Sequence, residues 1–140
     1  MEYLILNNGV QMPLVGFGTF MLGGETCASA VAAAIQSGCR MLDTAEAYGN
    51  EKEVGEGIKR SGIDRKELFL ITKVNFKSYE HAEQTVMQSL NSLQTDYIDL
   101  LLLHWPFATT RRGVFWKSCT RTARCDPSAS PTLSRISFLI

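Results

Sequence analysis

Residues 38–74 read GCRMLDTAEAYGNEKEVGEGIKRSGIDRKELFLITKV, and the order of patterns inside this stretch decides the fold. A short apolar run at Met41 and Leu42 gives way to a polar turn. Val54 and Ile58, four apart, then mark one face of a helix, and LFLIT at 68–72 is a near-continuous apolar run of strand length. Strand, helix, strand in that order is a βαβ unit, whose two strands lie parallel. Asn50 followed by Glu53 has the spacing of a capping box, in which each side chain satisfies a free amide at a helix start. The helix is therefore expected to begin there, weakened by Gly55 and Gly57.

The alternation continues outward in both directions. Upstream, LVGFG (14–18) reads as a buried strand, and the segment Glu25 to Ser37 places Ala28, Val31, Ala32 and Ile35 on one helical face before Gly38 closes it as a C-cap. Downstream, a helix from Ser78 carries Ala82, Val86, Leu90 and Leu93 on one face and ends near Gln94, ahead of YIDLLLL (97–103). At the start of the chain, YLILNNGVQMP (3–13) sets two apolar runs around Asn8-Gly9. That dipeptide accepts positive φ at both central positions of a tight turn, so a β-hairpin is expected. Strands at 14–18, 40–43, 68–72 and 97–103 alternating with three helices define an α/β class with a parallel sheet covered on both faces.

Composition narrows the rest. The 140 residues are 45% hydrophobic, enough for one modest core, and no stretch reaches the roughly 18 unbroken apolar residues of a membrane span. The opening MEYLILNNGV lacks the basic and apolar regions of a secretory signal, which points to the cytoplasm and away from the membrane. Cys27, Cys39, Cys119 and Cys125 form no CxxC pair and share no metal-ligand spacing with His81 or His104, so no metal site is expected. The zero net charge hides an asymmetry: residues 1–107 hold 8 Lys+Arg against 13 Asp+Glu, and residues 108–140 hold 6 against 1.

Four polar residues fall at or just past the ends of the apolar runs: Asp43, Tyr48, Lys73 and His104. In parallel α/β folds the carboxyl ends of the strands form the rim where chemistry is done. Taken singly, each has an ordinary role: Asp43 capping a loop, Tyr48 packing one, Lys73 solvated, His104 a core histidine before a turn. Together they suit a different task. Reducing a carbonyl by hydride transfer leaves negative charge on its oxygen, which must receive a proton as that charge develops. A tyrosine hydroxyl can give it, more readily beside a lysine cation that favours the phenolate. Tyr48 is the candidate donor and Lys73 the candidate cation, held by Asp43 through a charge-assisted hydrogen bond. A neutral His104 would orient the carbonyl, with Phe20 and Trp105 lining an apolar pocket. The hydride itself must come from a nicotinamide or similar cofactor.

These residues in their contexts resemble the aldo-keto reductases, NAD(P)H-dependent enzymes on a (β/α)8 barrel. The resemblance rests on GFGT (16–19), GCRMLDTAEAYGNEKEVGEGI (38–58), LFLITKV (68–74) and YIDLLLLHWP (97–106), and covers residues 3–107 almost without a gap. It implies the N-terminal half of a TIM barrel whose floor is closed by the hairpin. It also implies Tyr48 as proton donor, Asp43, Lys73 and His104 as its partners, and Thr19 with Asp43 beside the nicotinamide ribose. NADPH would be the cofactor, and a small aldehyde or ketone the substrate, reduced to an alcohol. Phe20, Tyr48, His104 and Trp105 would face that substrate.

After Phe107 the resemblance stops, and residues 108–140 show neither helical period nor a strand run. Moving the codon boundaries for residues 115–136 one base upstream, with free choice among synonymous codons, yields VLEELYQDGKVRSVGVSNFIPD. That resembles the family's fourth helix and fifth strand; Trp116 followed by Lys117 forces one of its glutamates. The expectation is a partial barrel at 1–107 and a basic, out-of-frame, disordered tail at 108–140 that binds no nucleic acid. Such a half-barrel, truncated by a frameshift, would have open sheet edges prone to self-association. It would lack the family's phosphate-binding sites and be inactive alone. The other reading is a non-catalytic product that binds a partner through the open edge, as a regulatory subunit does.

Overall fold

The computed structural model describes residues 2–105, the side chains of Phe76 and Tyr79 excepted. The expected boundary at Phe107 and the segment 108–140 lie outside these residues. The chain opens with an antiparallel hairpin of β1 (Tyr3–Ile5) and β2 (Gln11–Pro13). It then alternates β3 (Phe17–Gly18), α1 (Gly24–Gln36), β4 (Met41–Asp43), α2 (Glu51–Ser61), β5 (Phe69–Val74), α3 (Ala82–Ser92) and β6 (Leu100–Leu103). Strands β3, β4, β5 and β6 are parallel and lie in sequence order. An α/β chain with a parallel sheet and an N-terminal hairpin, as in the first part of a (β/α)8 barrel, is therefore what the sequence folds into.

Successive strand residues face opposite sides, and that parity builds two cores. Leu42 and Leu70 turn toward the helices and pack with Cys27, Val31 and Ile35 of α1, Val54 and Ile58 of α2, and Leu93. Val74 and Leu101 meet Ala82, Val86 and Leu90 of α3. On the other face Phe69, Ile71 and Leu100 are covered by Leu6, Val10 and Met12 of the hairpin, together with Met41 and Leu102. Asp43, Lys73 and His104 have the parity of this second face, two residues beyond Met41, Ile71 and Leu102 respectively. The same alternation that fills the interior thus delivers three polar groups to its rim.

Four expectations need correction. The hairpin turn is not a two-residue turn with positive φ at both centres: only Gly9 is left-handed (φ 84°). Gly9 N–H donates to Leu6 O and Leu6 N–H to Val10 O, while Asn8 spends its side chain on Val10 N–H, which makes a longer loop ending in a left-handed glycine. The strand expected at 14–18 pairs with β4 only at Phe17 and Gly18, and Leu14 and Val15 are exposed. No capping box forms, because the Asn50 side chain makes no cap hydrogen bond and is spent elsewhere. Finally, α3 begins at Ala82 rather than Ser78. Residues Phe76–His81 make a 3-10 helix, since Asn75 caps Lys77 N–H and the Glu46 carboxylate takes the Ser78 hydroxyl. Gly38, in contrast, ends α1 as expected, left-handed at φ 97° with its N–H on Ile35 O.

At the opposite end of the sheet from the rim, Arg65 ties β5 to β6. Its guanidinium donates to Thr95 Oγ1 (3.0 Å), Leu68 O (2.8 Å), Tyr97 O (3.0 Å) and Asp99 Oδ2 (2.7 Å), and lies 4.0 Å above the Tyr97 ring. Asp99 Oδ2 also receives Leu70 N–H. Arg65→Met keeps the stem but leaves these acceptors without their donor, and is expected to cost about 2 kcal/mol given the partial exposure of the pair. A urea melt followed by circular dichroism checks it; an unchanged midpoint would show the latch to be decorative.

Candidate active site

The rim residues converge from separate elements. Lys73, near the end of β5, donates from Nζ to Asp43 Oδ1 at the end of β4, to Thr44 O at 3.0 Å and to Tyr48 Oη at 3.4 Å. Tyr48 closes a 3-10 turn, Glu46–Tyr48, whose stop is Gly49 in the left-handed region (φ 66°). That turn is pinned to the next loop by Glu46, which accepts Asn75 N–H at 2.8 Å and the Ser78 hydroxyl at 2.5 Å. His104 extends the β6 pairing by donating its N–H to Val74 O, and its ring stands edge-on to Tyr48 with centroids 5.6 Å apart. Phe20 lies 5.0 Å from the Tyr48 ring, and Trp105 stacks on His104 at 5.4 Å. Both outer rings are half exposed or more. Thr19 is buried beneath, its amide and hydroxyl both donated to Asp43 O.

The structure brings together all of the residues singled out in the sequence: Asp43, Tyr48, Lys73 and His104 at the centre, Phe20 and Trp105 flanking, Thr19 below. The sequence did not disclose three further participants. Glu46 and the Thr44 carbonyl fix the Tyr48 turn and Lys73, and Asn50 holds the loop that carries Phe20. A glutamate in a polar turn looks like a solvated group and an asparagine three residues before a glutamate looks like a helix cap, and their partners 28 to 32 residues away leave no local pattern. Among the described residues, no group of three His, Cys, Asp or Glu side chains could hold a metal ion, and no helix is long and apolar enough to cross a membrane.

Two groups near the rim are shifted. The Glu51 carboxyl is pushed up by burial, partly offset by hydrogen bonds from Thr72, at 2.6 Å, and Ser89. The His104 imidazole is held below its usual 6.5, first by burial and then by the Lys73 cation, with Asp43 and Glu46 pulling the other way. His104 is therefore neutral at neutral pH. Its Nδ1 is buried with no hydrogen-bond partner among the described residues, so Nε2 is the nitrogen left to meet a ligand. Because the folded chain binds this proton less tightly than the unfolded chain, the stability tied to neutral His104 is complete above 6.5 and erodes as pH falls from there toward the lower folded value. An NMR titration of His104 is expected to have its midpoint below 6.5; a midpoint above it would contradict the site electrostatics.

With this geometry in hand, the likeness to known proteins is direct. The model of the aldo/keto reductase family matches residues 14–126, and the chain belongs to that family. It is 53% identical over 104 residues to morphine 6-dehydrogenase of Pseudomonas putida, covering 72% of this chain and 35% of that protein. Glyoxal reductase of Bacillus subtilis is 47% identical over 104 residues, covering 72% and 38%. A crystal structure of an aldo/keto reductase from Brucella melitensis superposes with a TM-score of 0.85 at 33% identity, covering 98% of this chain and 51% of that one. The chain spans little more than a third of the length of these curated relatives.

Proposed function

We propose that this chain carries the proton-donating half of an NADPH-dependent carbonyl reductase site. The observation that carries the reading is Lys73 Nζ bridging the Asp43 carboxylate and the Tyr48 hydroxyl on the rim of a parallel sheet. Tyr48 would give its proton to the carbonyl oxygen as negative charge develops there, and the Lys73 cation would steady the phenolate left behind. Neutral His104 donates from Nε2 to the same oxygen and turns the carbonyl toward Tyr48. Phe20 and Trp105 offer apolar surface to the rest of a small aldehyde or ketone. Bound NADPH would supply the hydride.

The residues present fit the ribose end of such a cofactor. Lys73 holds Asp43 Oδ1, and the Asp43 side chain stays 37% exposed, so this carboxylate would be the group to hold a ribose hydroxyl. Thr19 is fully buried, so it would serve by holding Asp43 in place rather than by touching the cofactor. We take residues 1–107 as the reductase portion and 108–140 as an out-of-frame continuation; sequencing the coding DNA tests that, since an intact frame would remove it. Activity is tested by following NADPH absorbance and alcohol formation with a panel of aldehydes, for the 140-residue chain and for the frame-restored product. Turnover by the restored product alone supports the assignment and the inactivity of the shorter chain. Turnover by the shorter chain overturns its inactivity. No turnover by either sinks the reductase reading.

A further inference from the structure

Asn50 is the most committed polar side chain near the rim that the proposed chemistry does not use. It is 2% exposed. Its Nδ2 donates to Thr19 O at 2.8 Å and to Leu22 O at 2.7 Å, and its Oδ1 accepts from the Thr44 hydroxyl at 3.2 Å. Two backbone carbonyls can only accept, so the amide orientation is fixed by its partners and both of its donors are spent. The two carbonyls bracket a tight turn, closed by Leu22 N–H on Thr19 O, in which Met21 sits in the left-handed region at φ 62°. A non-glycine residue holds that conformation only where its surroundings enforce it. The turn displays Phe20 and Met21, both largely exposed, and puts the Phe20 ring 5.0 Å from Tyr48.

Asn50 also lies two residues after Tyr48, at the start of α2. One side chain thus clamps the Phe20 turn to the segment that carries the phenol. We infer that Asn50 is a positioning residue that sets how the Phe20 ring lies against Tyr48, and thereby selects which carbonyl substituents reach the phenol; the selection part rests on the reductase reading above. Asn50→Asp keeps the shape but faces two carbonyl oxygens with a carboxylate, so the clamp is released without a cavity. Thr44→Val removes only the hydrogen bond to Asn50 Oδ1 and is the milder variant, should Asn50→Asp fail to fold.

The test uses the 140-residue chain with 4-fluorophenylalanine at Phe20, read by fluorine NMR. Asn50→Asp is expected to shift or broaden that resonance, Thr44→Val to move it the same way by less, and Lys59→Ala, on the exposed side of α2, to leave it alone. In the form that turns over, Asn50→Asp is expected to change the ratio of kcat/KM for a bulky over a small aldehyde about tenfold, mainly through KM, with kcat for the small aldehyde little altered. An unmoved fluorine resonance overturns the clamp. A moved resonance with an unchanged ratio overturns its role in selection. Absence of turnover in every form sinks selection together with the reductase reading, while the fluorine result still decides the clamp.

Discussion

Gly57→Ala is expected to destabilise the fold by about 3 kcal/mol, and to lower the melting temperature by more than about 10 °C. A methyl group built at Gly57 would lie 2.6 Å from Ala28 O, 2.7 Å from Val31 Cβ and 2.8 Å from Val31 Cγ1. Contacts are comfortable at about 3.5–4.0 Å between carbons and about 3.3–3.6 Å from carbon to a carbonyl oxygen, so each of the three is too short by at least about 0.7 Å. Neither a helix carbonyl nor a β-branched residue fixed in a helix can swing aside. The strain is relieved only by parting α1 from α2, which opens the packing of Val31 against Val54 and Ile58 in the main core. Alanine would gain about 1 kcal/mol of intrinsic helix propensity over glycine, and that gain is outweighed. Gly55→Ala should behave alike, since its added carbon would fall 2.7 Å from Ser92 O and 2.8 Å from Leu93 O, at the end of α3. Gly18→Ala meets nothing within 4 Å and is the neutral control. Urea melts of the three variants decide it; a Gly57→Ala chain as stable as its parent would show that the helices have room to move.

These glycines mark where sequence reading succeeded and where it ran out. As a local pattern they only weaken a helix, and their purpose as contact points with α1 and α3 lies in partners tens of residues away. Strands β5 and β6 were legible because a sheet covered on both faces demands continuous apolar runs, which LFLIT and LLLL supply, although residues 97–99 of the expected last strand stay outside β6. Asp43, Lys73 and His104 were legible because period-two alternation fixes both their face and their end of the sheet. Asn50 was misread because its spacing to Glu53 satisfies a local rule, whereas a buried amide with three tertiary partners outweighs one cap. Ser78 was misread for the same reason: Glu46 reaches it from a different loop and holds it in a tighter turn than the helix it was expected to start.

Tyr48→Phe is expected to lower kcat by about 10²–10⁴ in the form that reduces aldehyde, with stability nearly unchanged. The substitution deletes one oxygen. The ring keeps its contacts with Phe20 and His104, because centroid separations of 5.0 and 5.6 Å depend on the ring and not on the hydroxyl. The hydroxyl's one contact to Lys73 is long, at 3.4 Å, and Lys73 retains Asp43 and the Thr44 carbonyl without it. Lys73→Met makes the opposite comparison. It removes the cation beside the phenol and should also slow the reaction, but it strands the Asp43 carboxylate, partly buried, with no counter-charge. Loss of stability is therefore expected for Lys73→Met and not for Tyr48→Phe, although both lose activity. Thermal melts run beside single-turnover NADPH oxidation separate the two. If Tyr48→Phe kept within a few-fold of the parent rate, the proton would have to come from elsewhere on the rim, and His104 would become the donor to test. If Tyr48→Phe instead melted as early as Lys73→Met, the phenol would be a structural post of the rim rather than its acid.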